Sequence, residues 1–222
     1  MKKNLYKNAS QMGVTLNREQ IEALCSFMDL LVEWSGKINL IGISDRKRIL
    51  NELLLDSLIP TPYLPDKGNL VDLGSGSGFP ALIIKILKPD LNVRLIESNG
   101  KKVSFLKYTI HSLKLKGIDA INDRVEALTE KIKKWGCDIV TSRAMTDFEN
   151  IIRLSDPFLG SRGIIVGFLG KEGVSEFNKN RDLFLNHHLE IQKTITYLLP
   201  DKKAERTIVL LQKLTISDPS DY

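Results

Sequence analysis

Little in this chain is built for cross-linking, metal binding or membranes. Its two cysteines, Cys25 and Cys137, stand far apart, with no CxxC spacing and no histidine neighbour. That argues against a disulfide scaffold and offers no zinc-ligand pattern, so no metal is expected. Both read as small buried hydrophobes of a reducing compartment. No apolar run is long enough to span a bilayer. The opening Met1-Lys-Lys-Asn-Leu-Tyr6 lacks the apolar stretch and small-residue cleavage site of a secretory leader. A cytoplasmic location is the expectation. Charge of one sign is also scarce in excess: 32 Lys+Arg against 27 Asp+Glu leave a net +5, which permits a nucleic-acid partner without requiring one.

What the chain does have is concentrated in Asn69-Leu-Val-Asp-Leu-Gly-Ser-Gly-Ser-Gly78, followed by Phe79-Pro80. Leu70 to Leu73 are short, apolar and β-prone; Gly74, Gly76 and Gly78 recur at every second position; a helix-compatible run follows from Ala81 to Leu87. A strand, a glycine turn and a helix N-terminus in that order make a seat for an anionic or polar ligand group. Asp72, just before the turn, is placed to accept from loop N–H groups or a ligand amine. The spacing is GxGxG and not the dinucleotide GxGxxG. Glu97 ends the next apolar run, Asn92–Glu97, where an acid can take both hydroxyls of a ribose.

The flanking pattern is that of an α/β chain of 222 residues with a helical extension. Residues 1–16 read as a short helix or arm. Asn17 with Gln20 forms a capping box before a helix whose face is Ile21, Leu24, Cys25, Met28, Leu31 and Val32, ended by Gly36. Ser44 is the expected cap of a second helix, stopped by Pro60 and Pro62. From Asn69 strands and helices alternate, which predicts a mainly parallel, seven-stranded sheet with helices on both faces. Strands are expected at Ile118–Ile121, Cys137–Ser142 and Gly163–Leu169, with a helix from Met145 to Leu159 and a cap at Ser98 or Asn99. Leu189–Leu199 and Arg206–Lys213, joined by a short polar link, form an antiparallel hairpin. The division is thus 1–62, an N-terminal helical segment packed on the core; 63–214, the α/β domain; and 215–222, a disordered tail.

Ligands of open α/β sheets lie beyond the carboxyl ends of the strands, which gathers Gly74–Phe79, Glu97-Ser98, Arg124-Val125-Glu126 and Ser142-Arg143. None of His111, His187 and His188 falls at those strand ends, so no histidine is given a catalytic role. LVDLGSGSG, an acid ending the second strand and a closing hairpin together resemble a class I S-adenosylmethionine-dependent methyltransferase, a Rossmann-like fold. Lys37-Ile-Asn-Leu40, Leu55-Asp-Ser-Leu58, Val71–Pro80, Gly100-Lys-Lys-Val-Ser-Phe-Leu106, Arg124-Val-Glu126 and Thr141-Ser-Arg-Ala144 resemble, in order, the glucose-inhibited division protein B family, methyltransferase G of small-subunit rRNA.

The resemblance implies N7 methylation of a guanine in the decoding region of 16S rRNA, with S-adenosyl-L-methionine as donor. It implies that Gly74 and Phe79 contact the donor, that Ser75, Gly76 and Gly78 form its loop, that Val125 and Glu126 flank the adenine and that Glu97 holds the ribose. Arg143 would position donor and target without acting as acid or base, and Lys101, Lys102, Arg124 and Arg206 would face RNA. The expected partner is small-subunit rRNA or the 30S particle, with no membrane, and the chain is expected to be a monomer. Three positions depart from the family pattern: Glu52-Leu53 replace Arg-His, Leu169 replaces a lysine, with Lys171 two positions later, and Ala81 replaces a glycine. Ser142-Arg-Ala144 in place of an Asp/Asn-Pro-Pro-aromatic motif speaks against exocyclic amines as targets, and Cys137 begins its strand, which speaks against cytosine C5. A small-molecule methyltransferase and a non-catalytic RNA- or ribosome-binding protein with a relict donor pocket are the competing readings.

Overall fold

A computed structural model describes residues 2–43, 45–143, 148–169, 175, 177, 181–200 and 205–215. The N-terminal helices are α1 (Lys2–Gln11), α2 (Arg18–Ser35), α3 (Arg46–Ile49) and α4 (Leu55–Leu58), the last two joined through a π-helical turn at Leu50–Leu54. A short 3-10 turn, Thr61–Tyr63, leads to the alternating part: β1 (Gly68–Leu73), α5 (Ala81–Leu87), β2 (Leu91–Glu97), α6 (Gly100–Ser112), β3 (Ile118–Asn122), α7 (Val125–Trp135) and β4 (Cys137–Ser142). Then come α8 (Phe148–Ser155), β5 (Leu159–Leu169), α9 (Arg181–Asn186), β6 (Leu189–Leu198) and β7 (Glu205–Lys213).

Local chemistry accounts for the helix starts. Asn17 Oδ1 accepts from the Gln20 amide at 2.8 Å, and Gln20 Oε1 accepts from the Asn17 amide at 3.0 Å, closing the capping box. Asn99 caps α6, accepting from Lys101 and Lys102 amides at 3.0 and 3.3 Å. At α3 the cap is Asp45, whose carboxylate accepts from the Arg48 amide at 2.7 Å; Ser44 lies outside the described residues. α1 is a helix with Leu5 and Ala9 buried, one of the two forms expected for the polar opening.

The seven strands form one sheet in the order β3-β2-β1-β4-β5-β7-β6. β1 to β5 run parallel, while β7 is antiparallel to both β5 and β6, as expected for the hairpin. Side chains alternate between two cores, as the strand period requires. Leu70, Leu95, Ile139, Val166 and Leu210 join the cluster that holds α1, α2, α4, α5 and α6. Val71, Leu73, Ile96, Val140, Ile165 and Val209 join the one that holds α7, α8 and α9. The N-terminal helices therefore share a core with one face of the sheet. Among the described residues no helix is long and apolar enough to cross a membrane.

Two adjoining elements differ from expectation. The helix after β4 is described over Phe148–Ser155, with 145–147 outside the described residues, and β5 already begins at Leu159, not at Gly163. Gly160-Ser-Arg-Gly163 reads as turn chemistry, and the backbone there is irregular: Arg162 has φ +63°, and the pairing register on β4 slips between Cys137 and Ile139. The pairing nonetheless continues through it, because Cys137 meets Leu159 before the slip.

Candidate functional site

The order of the sheet reverses between β1 and β4, and the crevice beyond their carboxyl ends is where such sheets bind ligands. β1 runs into the glycine turn, where Gly74, Gly76 and Gly78 have φ +69°, +55° and +93°, values unfavourable for residues with a Cβ. The turn is tied down by backbone: the Ser75 amide donates to Ile96 of β2 at 2.9 Å, and the Gly78 amide donates to the Ser75 carbonyl at 2.7 Å.

Two of these glycines serve different ends. A Cβ on Gly78 would stand 2.3 Å from Leu82 Cδ1 and 3.2 Å from Leu106 Cδ2, so its hydrogen lets the turn pack onto α5 and α6. A Cβ on Gly76 would meet nothing nearer than the Gly74 carbonyl at 3.8 Å. That side of the loop is an open cradle.

Glu97, at the end of β2, is buried, and its carboxylate spans the cradle's rim. Oε2 accepts from the Gly76 amide and Oε1 from the Asn99 amide, each at 2.8 Å. Asn122 clamps the same corner by donating to the Glu97 and Ser98 carbonyls at 3.1 and 2.9 Å. Glu97 is thus held by two backbone donors, and each carboxylate oxygen keeps acceptor capacity beyond them.

Asp72 does not reach the loop N–H groups or the surface. It is 1% exposed; Oδ1 accepts from the Thr141 hydroxyl at 2.5 Å, and Oδ2 is buried with no partner among the described residues. Burial raises its carboxyl from the ordinary value to about 7.

Around the cradle the structure brings together most of the residues singled out in the sequence. Phe79 is buried, its ring edge-on to Phe27 of α2 at 5.2 Å, so it anchors the turn to the N-terminal helices. Val125 is buried and Glu126 exposed at the start of α7, with Arg124 exposed just before it. Lys101 is exposed and Lys102 half-buried on the first turn of α6. Gly74, Ser75, Gly76, Gly78, Glu97 and Val125 therefore share one edge with Lys101, Lys102 and Arg124.

Arg143 and Arg206 direct their guanidiniums to a different set of partners. Arg143 leaves the end of β4 and turns its guanidinium onto the N-terminal helices: Nη2 pairs with Asp56 Oδ2 at 2.7 Å and donates to the Glu52 carbonyl at 2.5 Å. Nη1 donates to the Leu53 carbonyl at 3.1 Å and the Ser57 hydroxyl at 3.3 Å. The π-helical turn explains how this fits, since its Leu55 N–H bonds back five residues to Leu50 and the widened turn presents carbonyls to a side chain. Arg206 of β7 points to the same Asp56 oxygen at 3.4 Å, and the Tyr197 hydroxyl donates to Asp56 Oδ1. Asp56 and Thr141 stand in segments that carry the family resemblance but were given no role of their own, and Tyr197 was not picked out from the sequence. A signal for the first was there: an acid amid Leu53, Leu54, Leu55 and Leu58 on a buried helix demands a partner.

Two other groups lie elsewhere. His187 Nδ1 meets Asp156 Oδ2 at 3.0 Å, and Lys213 Nζ meets Asp156 Oδ1 at 2.8 Å, at the opposite edge of the sheet. Cys25 and Cys137 are free and buried, and burial pushes the Cys137 thiol up to about 12.

Residues 20–207 match the family model described as rRNA small subunit methyltransferase G, GidB. The chain belongs to this family. Among its relatives named ribosomal RNA small subunit methyltransferase G, that of Acinetobacter baumannii is 33% identical over 210 residues, covering 95% of this chain and 97% of the relative. That of Desulfotalea psychrophila is 32% identical over 209 residues, covering 94% and 96%. Among solved structures, the ribosomal protein L11 methylase of Lactobacillus delbrueckii subsp. bulgaricus aligns with TM-score 0.59 at 11% identity, over 79% of this chain and 81% of that one. TYW2 of M. jannaschii in complex with AdoMet aligns with TM-score 0.53 at 15% identity, over 66% and 68%. At those identities the likeness is one of fold, that of class I methyltransferases.

Within the methyltransferase G family, the departures at 52 and 53 now have a setting. Glu52 is buried in the π-helical turn and pairs with Arg48 Nε at 2.8 Å, and Leu53 is half-buried with its carbonyl on Arg143. Leu169 is buried; Gly170 and Lys171 lie outside the described residues, as does Ala144.

Proposed function

We propose that this chain is an S-adenosylmethionine-dependent methyltransferase of small-subunit rRNA that modifies N7 of a guanine in the decoding region. The observation that carries the reading is the open face at Gly76, bridged to Glu97, in a chain whose residues 20–207 match the methyltransferase G family.

The residues present fit the donor. Gly74 and Gly76 leave room for a nucleoside against the backbone, Glu97 offers acceptors for ribose hydroxyls, and Val125 gives an apolar edge for an adenine. When bound, S-adenosylmethionine supplies a methyl group on a sulfonium that needs no further activation to leave. Guanine N7 carries an in-plane lone pair, so no residue is asked to remove a proton. The protein's part is to hold the reacting groups in line and exclude water. A turn pinned by Ser75 to β2 and by Gly76 to Glu97 does this with little reorganisation. Lys101, Lys102 and Arg124, beside the cradle, are the cations for the RNA backbone. The reading carries with it a cytoplasmic location, the 30S particle or its rRNA as partner, and action as a monomer.

The test is incubation with tritiated donor and unmethylated small subunits or 16S rRNA, followed by mapping through chain scission at alkylated guanine. Label at one guanine N7 is the expected result. Label on small metabolites alone would favour a small-molecule methyltransferase, and donor binding without turnover a non-catalytic RNA-binding protein.

A further inference from the structure

Helix α6 starts at the rim of the donor cradle, where Asn99 caps it beside Glu97, and runs back towards the opposite edge of the sheet before β3. From Gly100 to Gly117 the chain holds five lysines, Lys101, Lys102, Lys107, Lys114 and Lys116, one histidine and no acid. Val103, Phe105 and Leu106 are buried, so α6 turns Lys101, Ser104, Lys107, Tyr108 and His111 outward at helical spacing. Lysines alone would make only a solvated face. The ring among them is what calls for a further explanation.

Tyr108 is 46% exposed. It rests on Trp34 of α2, ring centroids 5.3 Å apart, and Trp34 packs in turn on Phe105 at 5.7 Å. The ring is thus propped from behind while nearly half of its surface stays open. The acids that α2 carries near its end do not offset the lysines, because Asp29 is paired with Arg46 and Glu33 with Lys37. A tyrosine that only covered Trp34 would need neither lysines around it nor an acid-free helix. An open ring set among uncompensated cations is the chemistry of a single-strand platform, where a base stacks and its phosphates find charge. A lipid surface is not the match, since the apolar side of α6 faces the core.

The reaction gives that platform a use. Guanine N7 lies in the major groove, which in A-form RNA is too deep and narrow for a protein to reach, so the target must leave its stack. The nucleotides beside it then lose a stacking neighbour, and a protein ring can replace it. Tyr108 lies eight residues into α6, roughly 12 Å along the axis from Gly100, so it serves a flanking nucleotide and not the target base. We propose that α6 receives the RNA strand beside the target: an unpaired nucleotide stacks on Tyr108, propped by Trp34, and Lys107 meets a phosphate next to it. This rests on the reading of RNA as substrate, and adds a demand for unpaired RNA that Lys101, Lys102 and Arg124 do not impose.

The experiment uses the full-length protein, a short single-stranded RNA and the same RNA as a duplex. Binding is measured at several salt concentrations, and donor affinity by equilibrium dialysis. Tyr108→Leu keeps an apolar cover on Trp34 but removes the ring; Tyr108→Phe keeps the ring and removes the hydroxyl. In Tyr108→Leu single-strand affinity should fall about tenfold, with the slope of log K against log salt unchanged, and in Tyr108→Phe it should hold. Duplex affinity and donor affinity should change in neither. Lys107→Ala should lower the single-strand slope by roughly 0.7, one phosphate's worth of counterion. Equal losses for single strand and duplex in Tyr108→Leu would make the residue structural and overturn the proposal. An equal loss in Tyr108→Phe would assign the effect to the hydroxyl and overturn it too, as would tighter binding of polyglutamate than of single-stranded RNA, which would mark α6 as a site for an acidic protein. Single-strand binding and rRNA methylation left untouched by Tyr108→Leu overturn the platform alone. Wild-type protein that neither binds RNA in a salt-sensitive way nor methylates rRNA overturns the functional reading and the platform with it.

Discussion

The two halves of the sheet's ligand edge are built on different principles. On the β1–β2–β3 half, backbone does the holding: the glycine turn is fixed by Ser75 and Gly76 amides, and Glu97 is met by N–H groups. On the β4–β5–β7–β6 half, charged side chains from distant parts of the chain converge on Asp56. Backbone donors leave a face open for a small molecule and cannot be rearranged cheaply. Side-chain cations offer charge and reach, which is what a polyanion requires. Under the proposed function, the first half takes the donor, and Lys101, Lys102 and Arg124 beside it face the RNA.

The largest effect that would break the comparison is at Asp56. Removing it leaves two guanidiniums, one of them buried, without their shared counter-charge, so Asp56→Ala is expected to cost about 3–5 kcal/mol in urea unfolding. A loss under 1 kcal/mol would mean the charged half is not held as described. Next, Gly76→Val should lower donor affinity by roughly a hundredfold or more in equilibrium dialysis, because its Cβ enters the open cradle at φ +55°. Its melting temperature should fall less than that of Gly78→Ala. In the latter a Cβ meets Leu82 at 2.3 Å, and about 1–3 kcal/mol of overpacking is expected. Equal melting temperatures, or unchanged donor affinity in Gly76→Val, would erase the distinction between the two glycines.

Asp72 sharpens the backbone half. Its folded carboxyl lies above the ordinary value of 3.8, at about 7, mainly through burial. The native state therefore binds this proton more tightly, so the contribution is favourable at low pH and is lost as pH rises from about 4 through 7. Asp72→Asn should gain on wild type in unfolding free energy between pH 5 and pH 8, by an amount on the order of 1–3 kcal/mol. A pH-independent difference would show that the carboxyl is solvated. The smallest effect is at Lys102, where Lys102→Ala should weaken RNA binding roughly two- to fivefold and leave donor affinity unchanged. A change in donor affinity there would merge the two functions.

Legibility in the sequence followed the same divide. The donor half is a contiguous signal: Val71–Gly78 carries strand and turn within one stretch, and Glu97 follows after one helix. Caps such as Asn17 with Gln20, and Asn99, are equally local and could be read because donor and acceptor sit three residues apart or fewer. The Asp56 cluster joins residues 56, 143, 197 and 206, and no periodicity announces a contact made across a fold. Arg143 was legible as a strand-end arginine but not in its direction, which depends on a π-helical turn that propensities do not foretell. The early start of β5 was hidden because Gly160 and Gly163 disfavour a strand by propensity, while pairing with β4 overrode that preference.

The most direct test is a crystal structure with S-adenosylhomocysteine. Density for its nucleoside along Gly74–Gly78, with ribose hydroxyls on Glu97, is the expected result. Density away from the glycine turn would contradict the assignment of the donor to the backbone-held half.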